Sequence, residues 1–488
     1  MFDHKRVMKI KQIFFAFITL MISMACLCNG ISNITVSPAV TQQEPIVTTT
    51  EVPTLQQDNP TLTPEVHGLN PDAPWLLVAT KTDLWAANPD GSSLVQLTHG
   101  INWQTDLSRA IQPAGNQVVL LTYGADQYHQ LALNMLSLPD GSIKKITDLT
   151  TPQTEPAADS APGDPSLEAM RAISERTSYA WSPDGTKLAF IGALVGTHAS
   201  VYIFDTNGGT LKQVSQDDFQ DYAPTWSPDG TRLLYFSADG FGTGAGISMK
   251  GAWSASSDGS DVSVLYTPTS SGEEILGWRD NETAVLESWS PVNGPSNLRL
   301  YNVASKKQTL LQSDTVQGAA VATNTSADPG AVLFSKADGL YLLPSGTDQT
   351  QKILGDQVDS IRWLPDSSIF TVQFNAGGLT TFMADGSLRE DAPFTSLRGT
   401  TEVASYGAIW AWTDPVDSKG AWYSGPGLDT TKLIDGPATA PIWDLHNNLL
   451  FFIGGDLYRV TFDSHYSDTA PVAHIDGEVQ AVTWVNNH

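Results

Sequence analysis

Short apolar runs separated by polar turns recur from Trp75 to Val485. Two of these stretches are near copies, 45 residues apart. Tyr179-Ala180-Trp181-Ser182-Pro183-Asp184-Gly185-Thr186-Lys187-Leu188 returns as Pro224-Thr225-Trp226-Ser227-Pro228-Asp229-Gly230-Thr231-Arg232-Leu233. Each copy reads as a strand ending in Trp, a Ser-Pro-Asp-Gly turn and an apolar return strand (Leu188–Ile191; Leu233–Phe236). Pro presets φ for the turn, Asp can bond the backbone beyond it, and Gly supplies φ > 0. A third strand (Val201–Phe204), a polar turn and a fourth strand (Leu211–Val214) complete one antiparallel unit. A period in the 40s of four-stranded units marks sheets arranged around an axis.

Weaker Trp-centred starts lie at Gly277-Trp278, Arg362-Trp363 and Ile442-Trp443. The turn after the third strand recurs as Asn88-Pro89-Asp90-Gly91, Leu138-Pro139-Asp140-Gly141, Ser257-Asp258-Gly259 and Ala384-Asp385-Gly386. Complete units run at roughly 101–148, 178–216, 221–268, 273–314, 316–356, 357–397, 400–436 and 438–477. The ends complement each other. Val479–Val485 looks like a first strand without followers, and residues 75–97 supply strands two to four without a first. Joined, they close the ring and remove its open sheet edges. The expected fold is therefore all-β, a single β-propeller over 74–488. Nine blades are counted. Eight is the alternative, because units 316–356 and 400–436 lack the full turn motif.

The two Trp-Ser-Pro-Asp-Gly-Thr-(Lys/Arg)-Leu segments, with the Asp-Gly turns, resemble the TolB-type β-propeller repeat, which also occurs in propellers of prolyl-oligopeptidase-like proteins. The resemblance implies a fold and a broad role in protein interaction. It implies no chemistry.

A different material precedes the repeats. His4, Lys5, Arg6, Lys9 and Lys11 form a basic front, followed by an apolar run from Ile13 to Cys28. That run is shorter than the roughly 20 residues a membrane span needs and suits a signal peptide. Ser23-Met24-Ala25-Cys26 resembles a lipobox, although the usual Leu is missing. A signal peptide over 1–25 and a lipid on Cys26 are expected, which would place the protein outside the cytoplasm as a membrane-anchored lipoprotein. Cys26 and Cys28 are the only two cysteines, so the body has no disulfide, Cys-ligated metal or thiol nucleophile. Residues 26–73, rich in Thr, Pro and Gln, read as a disordered stalk.

The formal charge is −26, which argues against nucleic acid as a partner and leaves the N-terminal lipid as the one expected membrane contact. There is no Gly-x-Ser-x-Gly, His-Glu-x-x-His or Walker motif, and no Ca²⁺ loop. The nine His are scattered without metal-ligand spacing. No catalytic residue, metal or cofactor is expected, and a monomer is. The competing reading is a propeller enzyme acting on polysaccharide or peptide from residues gathered at the axis.

Insertions fall in one set of loops, those joining strands two to three and blade to blade: 124–130, 149–177, 192–200, 238–251 and 290–297, with a smaller one at 414–420. Within 149–177, Asp164-Pro165 forms a sound helix start, with Leu167, Met170 and Ile173 placed to pack downward. Loops on a rigid scaffold are where binding residues usually sit. Tyr128, Phe241 and Trp289 are the candidate anchors for a protein or extracellular ligand, and the Trp repeated once per blade is assigned to packing. Mass spectrometry of the mature N-terminus tests the address: a lipid-modified Cys26 is expected, and any other free N-terminus excludes the anchor.

Overall fold

A computed structural model describes residues 68–485 except 73, 153, 158–159, 162, 241–247, 268–271, 291–293, 313–317, 323–328, 364–368, 375–378, 390–401, 407–408, 415–418, 426–427, 445–447 and 464–465. The chain divides into two units, Met1–Pro60 and Thr61–His488. The expected signal peptide, Cys26 and nearly all of the stalk lie outside the described residues.

The described strands form nine antiparallel sheets in a ring, a β-propeller, which settles nine blades against eight. Blade 1 uses both ends of the repeat region. Val479–Val485 pairs with Trp75–Thr80, placing Leu76 opposite Trp484 and Val78 opposite Val482. Leu84–Ala87 and Val95–Gln96 complete it. Blades 2 to 9 follow in chain order at 117–148, 179–213, 220–266, 272–312, 318–354, 358–383, 402–435 and 438–474. First strands adjoin first strands of the next blade and so line the axis. Fourth strands such as Thr210–Gln213 and Lys307–Gln312 carry mostly exposed residues and form the rim.

The repeated motif builds both the turn and the seam. In blade 3 the Asp184 carboxylate accepts from the Ser182 hydroxyl at 2.6 Å and from the Thr186 backbone N–H at 3.1 Å. Blade 4 repeats this with Ser227, Asp229 and Thr231. In three blades the Trp before the turn reaches back across the seam. Trp181 Nε1 donates to the Ala110 carbonyl at 2.9 Å, Trp226 Nε1 to Ala180 at 3.0 Å and Trp484 Nε1 to Trp443 at 2.8 Å. Each bond adds about 1 kcal/mol to the burial of a large ring. Gly185 shows how tightly the turns meet: its φ is +67°, and a Cβ there would lie 2.4 Å from the Pro113 carbonyl oxygen of the preceding blade.

Three units depart from expectation. Blade 2 has three regular strands. In place of its first strand, residues 103–111 pair with the sheet as isolated bridges at Trp103–Thr122 and Ile111–Val118, with a helical turn Leu107–Ala110 between. In blade 7 the fourth strand is reduced to a Phe382–Leu388 bridge among the described residues. The expected insertion at 290–297 is mostly strand, because Thr283–Ser290 and Gly294–Asn302 continue as a long hairpin.

One seam carries a buried acid. Asp221, at 0% exposure in the first strand of blade 4, accepts from the Ser237 hydroxyl. Burial, then the nearby Asp217, pushes its carboxyl up to about 8. The folded protein therefore holds a proton that the unfolded chain releases near the ordinary carboxylate value. Its contribution to stability is full below pH 3.8 and is lost as pH rises to about 8.

Two outcomes are expected. Truncation after Gly477 removes the closing strand, so cooperative thermal unfolding is lost or its midpoint falls; an unchanged melt excludes closure by the termini. Asp221→Asn flattens the loss of stability between about pH 4 and pH 8, measured as Tm against pH; a variant with the wild-type slope contradicts a buried neutral carboxyl.

Candidate functional site

Three insertions of blades 2 and 3 meet on one face and are bonded to each other. The backbone N–H of Gln130 donates to Glu155 Oε1 at 3.0 Å, tying loop 123–131 to the 149–178 insertion. The Ser174 hydroxyl donates to the Gln127 carbonyl at 3.1 Å. The Ala193 N–H donates to the Leu149 carbonyl at 2.8 Å, which joins loop 193–199. Gln220 links two segments: its Oε1 accepts from the Ala199 N–H at 2.8 Å and its Nε2 donates to the Pro165 carbonyl at 3.2 Å. A Cβ at Gly240 in blade 4 would lie 3.3 Å from the Glu168 carboxylate.

The helix at the centre, Pro165–Ser174, forms for local reasons. Asp164 caps it by accepting from the Ser166 N–H at 3.0 Å, and Pro165 occupies the first turn, where its missing N–H costs nothing. Met170 and Ile173 are fully buried against the ring, and Leu167 is half-buried. Glu168 is also buried, which the apolar spacing did not signal. Arg171 pairs with it at 2.7 Å and supplies the compensation a buried charge requires. The adjoining loop 123–131 is knotted by Asp126, which accepts from the Tyr128 N–H at 2.9 Å and meets His129 Nδ1 at 2.6 Å. That side-chain bond raises the His129 imidazole above its ordinary value and holds Asp126 below the usual carboxylate range.

The three sequence candidates have different fates. Tyr128 is half-buried and packs, with Tyr123, on the core of the first blades. Trp289 lies in the strand Thr283–Ser290, opposite Gly272, and its side chain is outside the described residues. Phe241 lies outside the described residues altogether. Two apolar residues on this face were missed. Val195, at the tip of loop 193–199, is 68% exposed. Phe219 is half-buried beneath the Lys250 ammonium, 5.9 Å from the ring centre, and Lys250 is itself paired with Asp239. An aliphatic residue inside an insertion was a usable signal for Val195; Phe219 sits in a four-residue polar stretch with none.

At the opposite end, the side of the Ser-Pro-Asp-Gly turns, the axis opens into a cavity of about 390 Å³. The ends of the first strands of blades 2 to 6 line it, including Trp181, Trp226 and Trp278 together with Arg109 and Thr225. Among the described residues no group of three or more His, Cys, Asp or Glu is placed to hold a metal ion, and no helix is long and apolar enough to cross a membrane.

No protein-family model matches this sequence, and no curated protein does. Solved structures do match in shape. A crystal structure of the eukaryotic initiation factor aligns with a TM-score of 0.52 at 11% identity, covering 85% of this chain and 98% of that one. TolB from Acinetobacter baumannii aligns at 0.32 and 14% identity, covering 58% and 64%. An oligogalacturonate lyase in complex with manganese aligns at 0.39 and 13% identity, covering 63% and 83%. Likeness at such identity is a likeness of fold alone, and what it shares with this chain is the β-propeller.

Proposed function

We propose that this protein is an exported β-propeller, anchored through a lipid on Cys26, that binds a protein or other extracellular ligand through its loop face and performs no catalysis. The observation that carries the binding role is the bonding of loops 123–131, 149–178 and 193–199 around the helix Pro165–Ser174. Unselected insertions have no reason to satisfy one another's backbone groups across two blades. Ordering them costs conformational entropy, roughly 1–2 kcal/mol per residue, and the interloop hydrogen bonds offset part of that cost. The product is a continuous surface with Val195, Tyr128 and Phe219 available as apolar contacts amid polar ones. This is the composition of a binding patch, apolar anchors within a polar rim.

The test is capture of a partner from envelope extracts by wild type and by variants with 149–177 or 238–251 shortened. At least one partner recovered by wild type is expected to be lost from each variant while thermal unfolding stays cooperative. Equal recovery by folded variants contradicts the assignment of this face.

A further inference from the structure

The cavity at the turn end of the axis differs in kind from the loop face, and the geometry points to it as a second site, one for a small carboxylate with an apolar body. Its position follows from the repeat. Ile111-Gln112-Pro113-Ala114-Gly115 in blade 2 stands where blade 3 has Trp181-Ser182-Pro183-Asp184-Gly185. The residues ahead of Ile111 do not run as a strand. They form the helical turn Leu107–Ala110, whose Leu107 and Ala110 are buried in the ring while Ser108 and Arg109 line the cavity. The lost first strand of blade 2 thus brings a guanidinium to the axis.

Two polar side chains lining this cavity have no hydrogen-bond partner among the described residues. The half-buried Arg109 side chain has no hydrogen bond or ion pair with any described residue. The Thr225 hydroxyl likewise has no partner among them. Trp278 also lines the cavity, but its ring N–H is buried in the seam, as those of Trp181 and Trp226 are on the preceding blade, and offers the cavity no donor. The Ser108 hydroxyl is not free, since it donates to Asp106 at 2.6 Å. Both unused groups, the Arg109 guanidinium and the Thr225 hydroxyl, can donate. Carboxylates outnumber cations two to one in this chain, with 52 Asp and Glu against 26 Lys and Arg, so an unpaired Arg facing a recess is unexpected on composition.

An acceptor-rich anion satisfies these donors. A guanidinium grips a carboxylate through two parallel N–H bonds, which selects planar carboxylate over other acceptors. The remaining wall is apolar: Ile111, Pro113, Pro183, Pro228, Leu276 and Val321. Its volume of about 390 Å³ suits a small molecule. Inorganic anions would meet the same cation but leave those walls bare.

The test is calorimetric titration of the full chain with hippurate, with its neutral amide hippuramide, and with inorganic phosphate. Saturable hippurate binding is expected, weaker by about tenfold or more for the amide. Phosphate should bind more weakly than hippurate. Arg109→Gln should lose hippurate binding by about the same factor, and Arg109→Lys should retain part of it. Shortening 238–251, at the other end of the axis, should change nothing here. Failure of hippurate to saturate, equal affinity for its amide, equal affinity for phosphate, or an unaffected Arg109→Gln each overturns the proposal. If Arg109→Gln does not fold, the comparison of hippurate with its amide on the wild-type protein decides.

Discussion

Everything in this ring depends on the seam between neighbouring blades. A four-stranded sheet of this size cannot bury both faces alone, so each must find its apolar partner in the next sheet. In blades 1, 3 and 4 the Trp at the end of the first strand does this twice over. Its ring fills the seam, and its N–H reaches a carbonyl one blade back, as Trp226 does to Ala180 and Trp484 to Trp443. The carbonyl belongs to a first strand, so the bond also fixes how far one blade is rotated from the next. Gly185 sets the spacing at the same level, because any side chain there would strike the Pro113 carbonyl.

A rigid ring separates two environments along one axis. Short formulaic turns define one end, where the seam residues themselves become the wall of a recess. Insertions define the other, where the backbone is free of the repeat and can accept side-chain bonds between loops. The ring holds loops from separate blades close enough for Gln220 to hydrogen-bond both Ala199 and Pro165. Function on such a scaffold is a property of these ends and not of the fold, and unrelated proteins share the ring.

Much of this was legible in the sequence because the repeat is a physical necessity where it occurs. Ser-Pro-Asp-Gly must turn, the Trp must pack, and the unpaired Val479–Val485 must find a partner, so the closure by both termini could be read directly. One miss came from a degenerate copy, which keeps the geometry while losing the marker. Ile111-Gln112-Pro113-Ala114-Gly115 turns and packs like its neighbours without Trp or Asp. The helical turn ahead of it, which replaces the first strand of blade 2 and carries Arg109, has no marker in the repeat. The segment 290–297 was read as an insertion because Ser290, Gly294, Pro295 and Ser296 look like loop residues, yet at these positions pairing of Thr283–Ser290 with Gly294–Asn302 extends both strands. At the loop face the insertions and the Asp164 cap were legible. The side chains that knit them were not, because such contacts join residues as distant as Pro165 and Gln220.

Hydrogen exchange read by mass spectrometry tests the closed ring most directly. Amides in a cooperative unit exchange together, at a rate set by the unfolding of that unit. If the seams and the terminal strand act as one closed structure, peptides covering Val479–Val485 and Trp75–Thr80 exchange as slowly as those covering Lys187–Gly192 in blade 3. Fast exchange across Val479–Val485, with blade 3 still protected, would show a frayed end and an open ring.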